Sequence, residues 1–110
     1  MSVDSIKRDI ERYKREIDSQ KVKVSKCREK MAKIRIRKSK DAIRYKNRLK
    51  SAASTASRHT IRSQKKRDWD GYARDLTREK DKVEKYRDRT SGYRDDIKRC
   101  RGRIKRLKKR

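Results

Sequence analysis

The side chains that could perform catalysis or bind a metal ion are few in this chain. It contains one histidine, His59, and two cysteines, Cys27 and Cys100. A structural zinc site needs about four such ligands. A general base or a nucleophile needs a positioned partner in a pocket that excludes water. The sequence therefore predicts no metal, no cofactor, no small-molecule substrate and no enzymatic activity.

Positively charged side chains, in contrast, are abundant. Lys and Arg number 41 against 16 Asp and Glu, which gives a formal net charge of +25. Between Lys33 and Arg67 fourteen residues are basic and one, Asp41, is acidic. Charge this one-sided predicts a polyanionic partner, which is either an acidic protein or the phosphate backbone of nucleic acid. The residues predicted to bind phosphate are Arg35, Arg37, Lys38, Lys40, Lys65, Lys66 and Arg67.

Two helices must position these charges, because apolar residues recur at alternating steps of three and four, as in coiled coils. Only 29% of residues are hydrophobic, so burial is restricted to these two stripes. The first seam consists of Val3, Ile6, Ile10, Tyr13, Ile17, Gln20, Val24, Cys27, Met31 and Ile34. The second seam consists of Trp69, Tyr72, Leu76, Glu79, Val83, Tyr86, Thr90, Tyr93, Ile97, Cys100, Ile104 and Leu107.

The predicted fold is all-α, a long antiparallel helical hairpin in a single domain spanning residues 1–110. Helix one is predicted at about 3–57, the turn at about 58–68 and helix two at about 69–108. Asp4 or Ser5 is expected to cap helix one and Asp68 to cap helix two. The apolar pattern loses phase after Ile34, so helix one either continues through residues 36–42 or has a kink or break there. The small residues of segment 51–57 indicate either a tight helix crossing or a frayed helix end.

These boundaries give helices of unequal length. At about 1.5 Å per residue, helix one would extend about 80 Å and helix two about 58 Å, so about fifteen N-terminal residues would overhang. Their apolar stripe would then be exposed and would need a cover, either a helix of another protein or a second copy of this chain. The predicted partner-binding seam is Ile6, Ile10, Tyr13, Ile17 and Val24.

The positions beside the two seams are mostly cationic. In an antiparallel pair the e positions of one helix face those of the other, and like charges at close range are unfavourable. We therefore predict a basic edge that receives anionic groups from an acidic helical partner. Its residues are Lys7, Lys14, Lys21, Arg28, Lys80, Arg87, Arg94 and Arg101.

The tripeptide Trp69-Asp70-Gly71, followed by a heptad helix, resembles the motif of the WXG family of small helical-hairpin proteins linked to type VII secretion. Within that family the chain is most similar to the small helical partner proteins of LXG-domain toxins. The resemblance implies that Trp69 packs in the turn and that Gly71 allows the helices to approach closely. It also implies an adaptor or chaperone that binds the helical N-terminal domain of such a toxin.

Two functions follow from these features. The first is a non-enzymatic helical adaptor or chaperone that docks through its seams on an acidic helical partner, for which an LXG-type toxin is the candidate. The alternative is a basic coiled-coil structural protein that binds the phosphate backbone of RNA or DNA in a larger assembly. Because the chain has no signal-peptide pattern and no apolar window of about 18 residues, we expect a cytoplasmic location, with any export independent of a signal peptide.

Overall fold

The computed structural model describes residues 2–109, and this part of the chain is all-α. It contains two helices, α1 from Val3 to Ser51 and α2 from Thr55 to Lys108. No strand is present among the described residues. The predicted fold class, an all-α helical hairpin, is confirmed.

The turn lies at residues 52–54, upstream of the predicted turn at 58–68. α1 therefore ends at Ser51 rather than near residue 57, and α2 begins at Thr55 rather than near residue 69. The Ser54 hydroxyl accepts a hydrogen bond from the Ser57 backbone N–H at 3.1 Å, which caps the start of α2. Asp68, the predicted cap, lies inside α2.

The start of α1 is also set by a serine cap. The Ser2 hydroxyl accepts a hydrogen bond from the Ser5 backbone N–H at 3.1 Å, so Ser2 takes the role that was predicted for Asp4 or Ser5. Asp4 lies in the first turn, where its negative charge complements the positive end of the helix dipole. α1 is continuous through residues 36–42, so the phase change of the apolar pattern does not break the helix.

The chain divides into two compact units. Unit 1 contains the residues up to Lys26 and those from Lys82 onward, and unit 2 contains Cys27–Asp81. Each unit therefore combines a segment of α1 with a segment of α2, and unit 2 includes the turn.

The core of unit 1 buries the apolar stripe that was predicted to be exposed. Ile6 retains 1% of its accessible surface, and the Tyr13 and Tyr93 rings stack with their centroids 6.0 Å apart. The predicted overhang is wrong because the earlier turn gives helices of 49 and 54 residues, so α2 reaches the start of α1. The buried residues of this core are Ile6, Ile10, Ile17, Ile97 and Cys100, against which Tyr13, Tyr93 and Ile104 pack.

The core of unit 2 is smaller and includes two residues outside both predicted seams, Tyr45 and Ile61. Cys27, Met31 and Tyr45 of α1 are buried there, together with Ile61 of α2. Ile61 lies in the stretch where the sequence pattern indicated a turn. It is buried because α2 begins at Thr55 and this segment is already helical.

Candidate anion-binding surface

An aromatic cluster lies beneath the basic surface of unit 2. The Trp69 ring makes edge contacts with Tyr45 and Tyr72, with ring centroids 6.0 Å and 5.8 Å apart. Trp69 is half-buried and lies well inside α2, not in the turn. The turn role that the family resemblance implied for Trp69 and Gly71 is therefore wrong, since residues 52–54 form the turn.

Gly71 is not required by a close helix approach. A Cβ atom placed on Gly71 would meet the Nη2 atom of Arg74 at 3.9 Å, an ordinary van der Waals distance to a flexible side chain. The implied role of Gly71 in bringing the helices together is therefore wrong as well.

Two acidic residues at this surface are engaged by tyrosines across the helix pair. The Tyr72 hydroxyl donates to Asp41, and the Tyr45 hydroxyl donates to Asp68. Arg44 also lies against Asp41, with Nη2 3.4 Å from Oδ1. The hydrogen bond to Asp41, together with burial, raises the pKa of Tyr72 to about 12. The hydrogen bond to Asp68 and burial likewise raise the pKa of Tyr45.

Most of the cations between residues 33 and 67 face solvent. Lys38 and Lys65 are half-buried, and their Nζ atoms lie 5.7 Å and 5.2 Å from the Trp69 ring centroid. These two predicted phosphate-binding residues thus make cation–π contacts within the protein. The twelve exposed members are Lys33, Arg35, Arg37, Lys40, Arg44, Lys46, Arg48, Lys50, Arg58, Arg62, Lys66 and Arg67. We call this set the exposed cations of unit 2.

Two large aliphatic residues are exposed among these cations. Ile36 and Ile43 retain 56% and 64% of their accessible surface. They are seven residues apart in α1 and therefore lie on the same side of the helix. Ile36, Ile43, Lys33, Lys40 and Lys46 are all exposed. We refer to these five residues together as the outer face.

Sequence reasoning missed the outer face, although a signal for it is present. Ile36 and Ile43 share one heptad position with Val22, another exposed aliphatic residue at 54%. That position lies on the side of the helix opposite the first seam and is therefore not part of either predicted seam. Exposed isoleucines spaced by one heptad are the pattern that would have indicated the face.

The predicted partner-binding seam lies in the interior of the helix pair, whereas the predicted basic edge is exposed. The seam is occupied by the protein itself: Ile6, Ile10 and Ile17 are buried and Tyr13 and Val24 are half-buried. All residues of the basic edge are exposed, and their role in binding a partner stays a prediction. They are Lys7, Lys14, Lys21, Arg87, Arg94 and Arg101 in unit 1, and Arg28 and Lys80 in unit 2.

The rings near these cations form a poor platform for nucleic-acid bases. Between residues 33 and 67, Tyr45 is 3% exposed and donates its hydroxyl to Asp68, while His59 is exposed. Proteins that bind single-stranded nucleic acid without sequence preference stack successive bases on exposed aromatic rings. Any phosphate contact in this segment would therefore depend on charge alone.

Two further properties concern metal binding and membranes. Among residues 2–109, no group of three or more His, Cys, Asp or Glu side chains is arranged to hold a metal ion. Neither described helix has a stretch apolar enough to cross a lipid bilayer.

Comparisons with models of protein families, with curated proteins and with solved structures find no match to this chain.

Proposed function

We propose that this protein is a non-enzymatic helical adaptor that binds an acidic helical partner protein through unit 2. The observation that carries the proposal is the set of twelve exposed cations in a segment that holds one acid, Asp41. That acid already accepts a hydrogen bond from Tyr72 and lies against Arg44. Uncompensated like charges raise the free energy of the isolated protein, and carboxylates of a partner would lower it.

The exposed isoleucines favour a protein over nucleic acid as the anion. A phosphate backbone would contact the cations but would leave Ile36 and Ile43 in water. An amphipathic helix with acidic flanks offers both carboxylates and apolar side chains. This combination matches the mixture of exposed cations and aliphatic residues on α1.

The resemblance of Trp69-Asp70-Gly71 to the WXG motif adds a specific candidate for the partner. On that resemblance, the partner is the helical N-terminal domain of an LXG-domain toxin of a type VII secretion system. The adaptor would then accompany the toxin from the cytoplasm, and any export would not use a signal peptide. This part of the proposal rests on the resemblance and not on a turn role, since Trp69 lies within α2.

The experiment that tests the proposal is purification of the tagged protein from its native cell at low ionic strength. We expect a protein complex in which the co-purifying chain is acidic and helical, with an absorbance spectrum typical of protein. Recovery of the chain with nucleic acid and without an acidic protein would contradict the adaptor function.

The net charge of +25 favours one second candidate, a structural protein that binds the phosphate backbone of RNA or DNA. Such binding releases counterions, so its affinity falls steeply as salt increases. A high ratio of absorbance at about 260 nm to that at about 280 nm, lost on washing with high salt, would support this candidate.

Matched charge variants locate the cations that the partner uses. In one variant Arg35, Lys40 and Lys46 of unit 2 are changed to Gln, and in the other Lys7, Lys14 and Lys21 of the basic edge are changed to Gln. Both variants lose three charges, so a purely non-specific attraction would weaken equally in the two. We expect the unit 2 variant to lose far more of the co-purifying protein. Equal losses would contradict a specific role for unit 2.

A further inference from the structure

We propose that the outer face of α1 is the docking site for one acidic amphipathic helix of the partner. This inference rests on the proposed function and deepens it by naming the contact surface and the pattern of residues that would bind there. Ile36 and Ile43 would supply the apolar contact, and Lys33, Lys40 and Lys46 would supply the charge.

The geometry of the face fits a single helix. Residues one heptad apart are separated by about 10.5 Å along the axis and remain on one side of the helix. Ile36 and Ile43 have this spacing, and both expose more than half of their surface. A partner helix aligned with α1 would bring its own heptad-spaced aliphatic residues onto them.

The charges around the two isoleucines have one sign. Lys33 and Lys40 lie three and four residues from Ile36, and Lys40 and Lys46 each lie three residues from Ile43. Between Lys30 and Lys50 the single acid is Asp41, which accepts a hydrogen bond from the Tyr72 hydroxyl on α2. An aliphatic stripe flanked by Asp or Glu therefore complements this face, and a stripe flanked by Lys or Arg does not.

A second copy of this chain does not fit the same site. Each copy carries a net charge of +25 and the same lysines, so two outer faces would repel each other. The chain's own seam residues Ile6, Ile10 and Ile17 cannot cover the face either, because they are buried in the core of unit 1.

Val22 provides a matched control on the same helix. It is exposed to 54%, close to the value for Ile36, and it shares the heptad position of Ile36 and Ile43. Its surroundings differ, because Asp18 lies four residues before it and Lys26 four residues after it, whereas Ile36 has a lysine on both sides, Lys33 and Lys40. Val22 belongs to unit 1, and it should not bind an acidic helix.

The test measures binding of a synthetic acidic peptide by titration calorimetry. The probe is a peptide of about four heptads with Leu at positions a and d and Glu at positions e and g. A peptide of identical composition but scrambled order has the same charge without the apolar stripe. The variants are the double change Ile36→Gln and Ile43→Gln, and the single control change Val22→Gln.

We expect the ordered peptide to bind the unchanged protein more tightly than the scrambled peptide does. The double change should weaken binding about tenfold or more, because each buried aliphatic side chain contributes substantially to association. Val22→Gln should leave the affinity within about twofold of its original value. Circular dichroism should show the same helix content for all three proteins, since each altered side chain faces solvent.

Three different results would overturn the inference in distinguishable ways. If the Ile36 and Ile43 double change leaves the affinity unaltered while the three-charge variant of unit 2 abolishes binding, the adaptor function stands and the docking face is wrong. If neither peptide binds while a DNA duplex or vesicles of anionic lipid do, the proposed function fails together with this inference. An equal loss with Val22→Gln would also overturn it, because the two surfaces would then be equivalent.

Discussion

Among single residues, the pair of tyrosine-to-carboxylate hydrogen bonds is the clearest tertiary polar contact of unit 2. Tyr72 donates to Asp41 and Tyr45 donates to Asp68, so each bond connects α1 with α2. The hydrogen bond that each phenol donates to a carboxylate, together with burial, disfavours ionisation and raises the pKa of both tyrosines. These hydrogen bonds hold Asp41 and Asp68 against the opposite helix and leave the charge of both carboxylates unchanged.

The raised pKa of Tyr72 predicts a loss of stability at alkaline pH. Its ordinary value of 10.0 applies to the unfolded chain and a value of about 12 to the folded protein. The stabilisation is therefore complete below pH 10 and is lost as the pH rises toward 12. Tyr72→Phe should lower the free energy of unfolding by about 1 kcal/mol at neutral pH and should reduce the decline above pH 10.

Thermal unfolding followed by circular dichroism across this pH range measures the effect on Tyr72. Tyr86→Phe is the control, because the Tyr86 ring lies against Lys23 and Arg89 rather than a carboxylate. A Tyr72→Phe protein with the same alkaline decline as the unchanged protein would contradict the assigned hydrogen bond.

A second residue-level prediction concerns Gly71. Because a Cβ there would meet only the end of the Arg74 side chain, Gly71→Ala should stabilise α2 by about 0.5 to 1 kcal/mol. Gly92→Ala is the matched control, since a Cβ at Gly92 has nothing within 4 Å. Denaturant unfolding of both variants compares them directly. Destabilisation by Gly71→Ala alone would indicate a close approach at this site.

For the helices, the turn depends on a serine cap and not on the Trp-x-Gly tripeptide. Ser54→Ala should reduce stability by about 1 kcal/mol, because the N–H of Ser57 would lose its acceptor. Ser63→Ala, at an exposed position inside α2, is the control and should have little effect. The comparison is made by denaturant unfolding. Equal stability of the two variants would show that the turn is set by other contacts.

The helices also show which features the sequence could predict. Heptad spacing correctly placed Ile6, Ile10 and Ile97 on apolar stripes, but Ile6 and Ile10 were predicted to contact a partner and instead pack in the core of unit 1. The turn was misplaced because the segment 52–54 contains neither Gly nor Pro and its cap is an ordinary serine. Misplacing the turn shifted the pairing of the helices, and this error created the false overhang and the false exposed seam.

The candidate site was predictable only in part. The number of cations near residues 33–67 is visible in the sequence, and most of them are exposed. The cation–π contacts of Lys38 and Lys65 with the Trp69 ring could not be predicted from the sequence, because they depend on which residues of α2 face α1. The exposure of Ile36 and Ile43, in contrast, was predictable from their heptad position opposite the first seam.

For the whole molecule, a net charge of +25 predicts that salt has opposite effects on folding and on binding. Dissolved ions screen repulsion between exposed charges, and the screening length is about 10 Å at 0.1 M salt. Raising the salt concentration should therefore raise the melting temperature of the isolated protein and weaken its complex with the acidic peptide.

Both effects can be measured on the same samples, by thermal unfolding and by titration calorimetry over about 0.02 to 0.5 M sodium chloride. Ion pairs between neighbours on one helix, such as Arg78 with Asp75 at 3.4 Å, contribute little to stability, so their screening should not offset the gain. A melting temperature that falls with salt would mean that attractive pairs outweigh the repulsion. Peptide affinity that does not depend on salt would exclude the exposed cations of unit 2 from the contact.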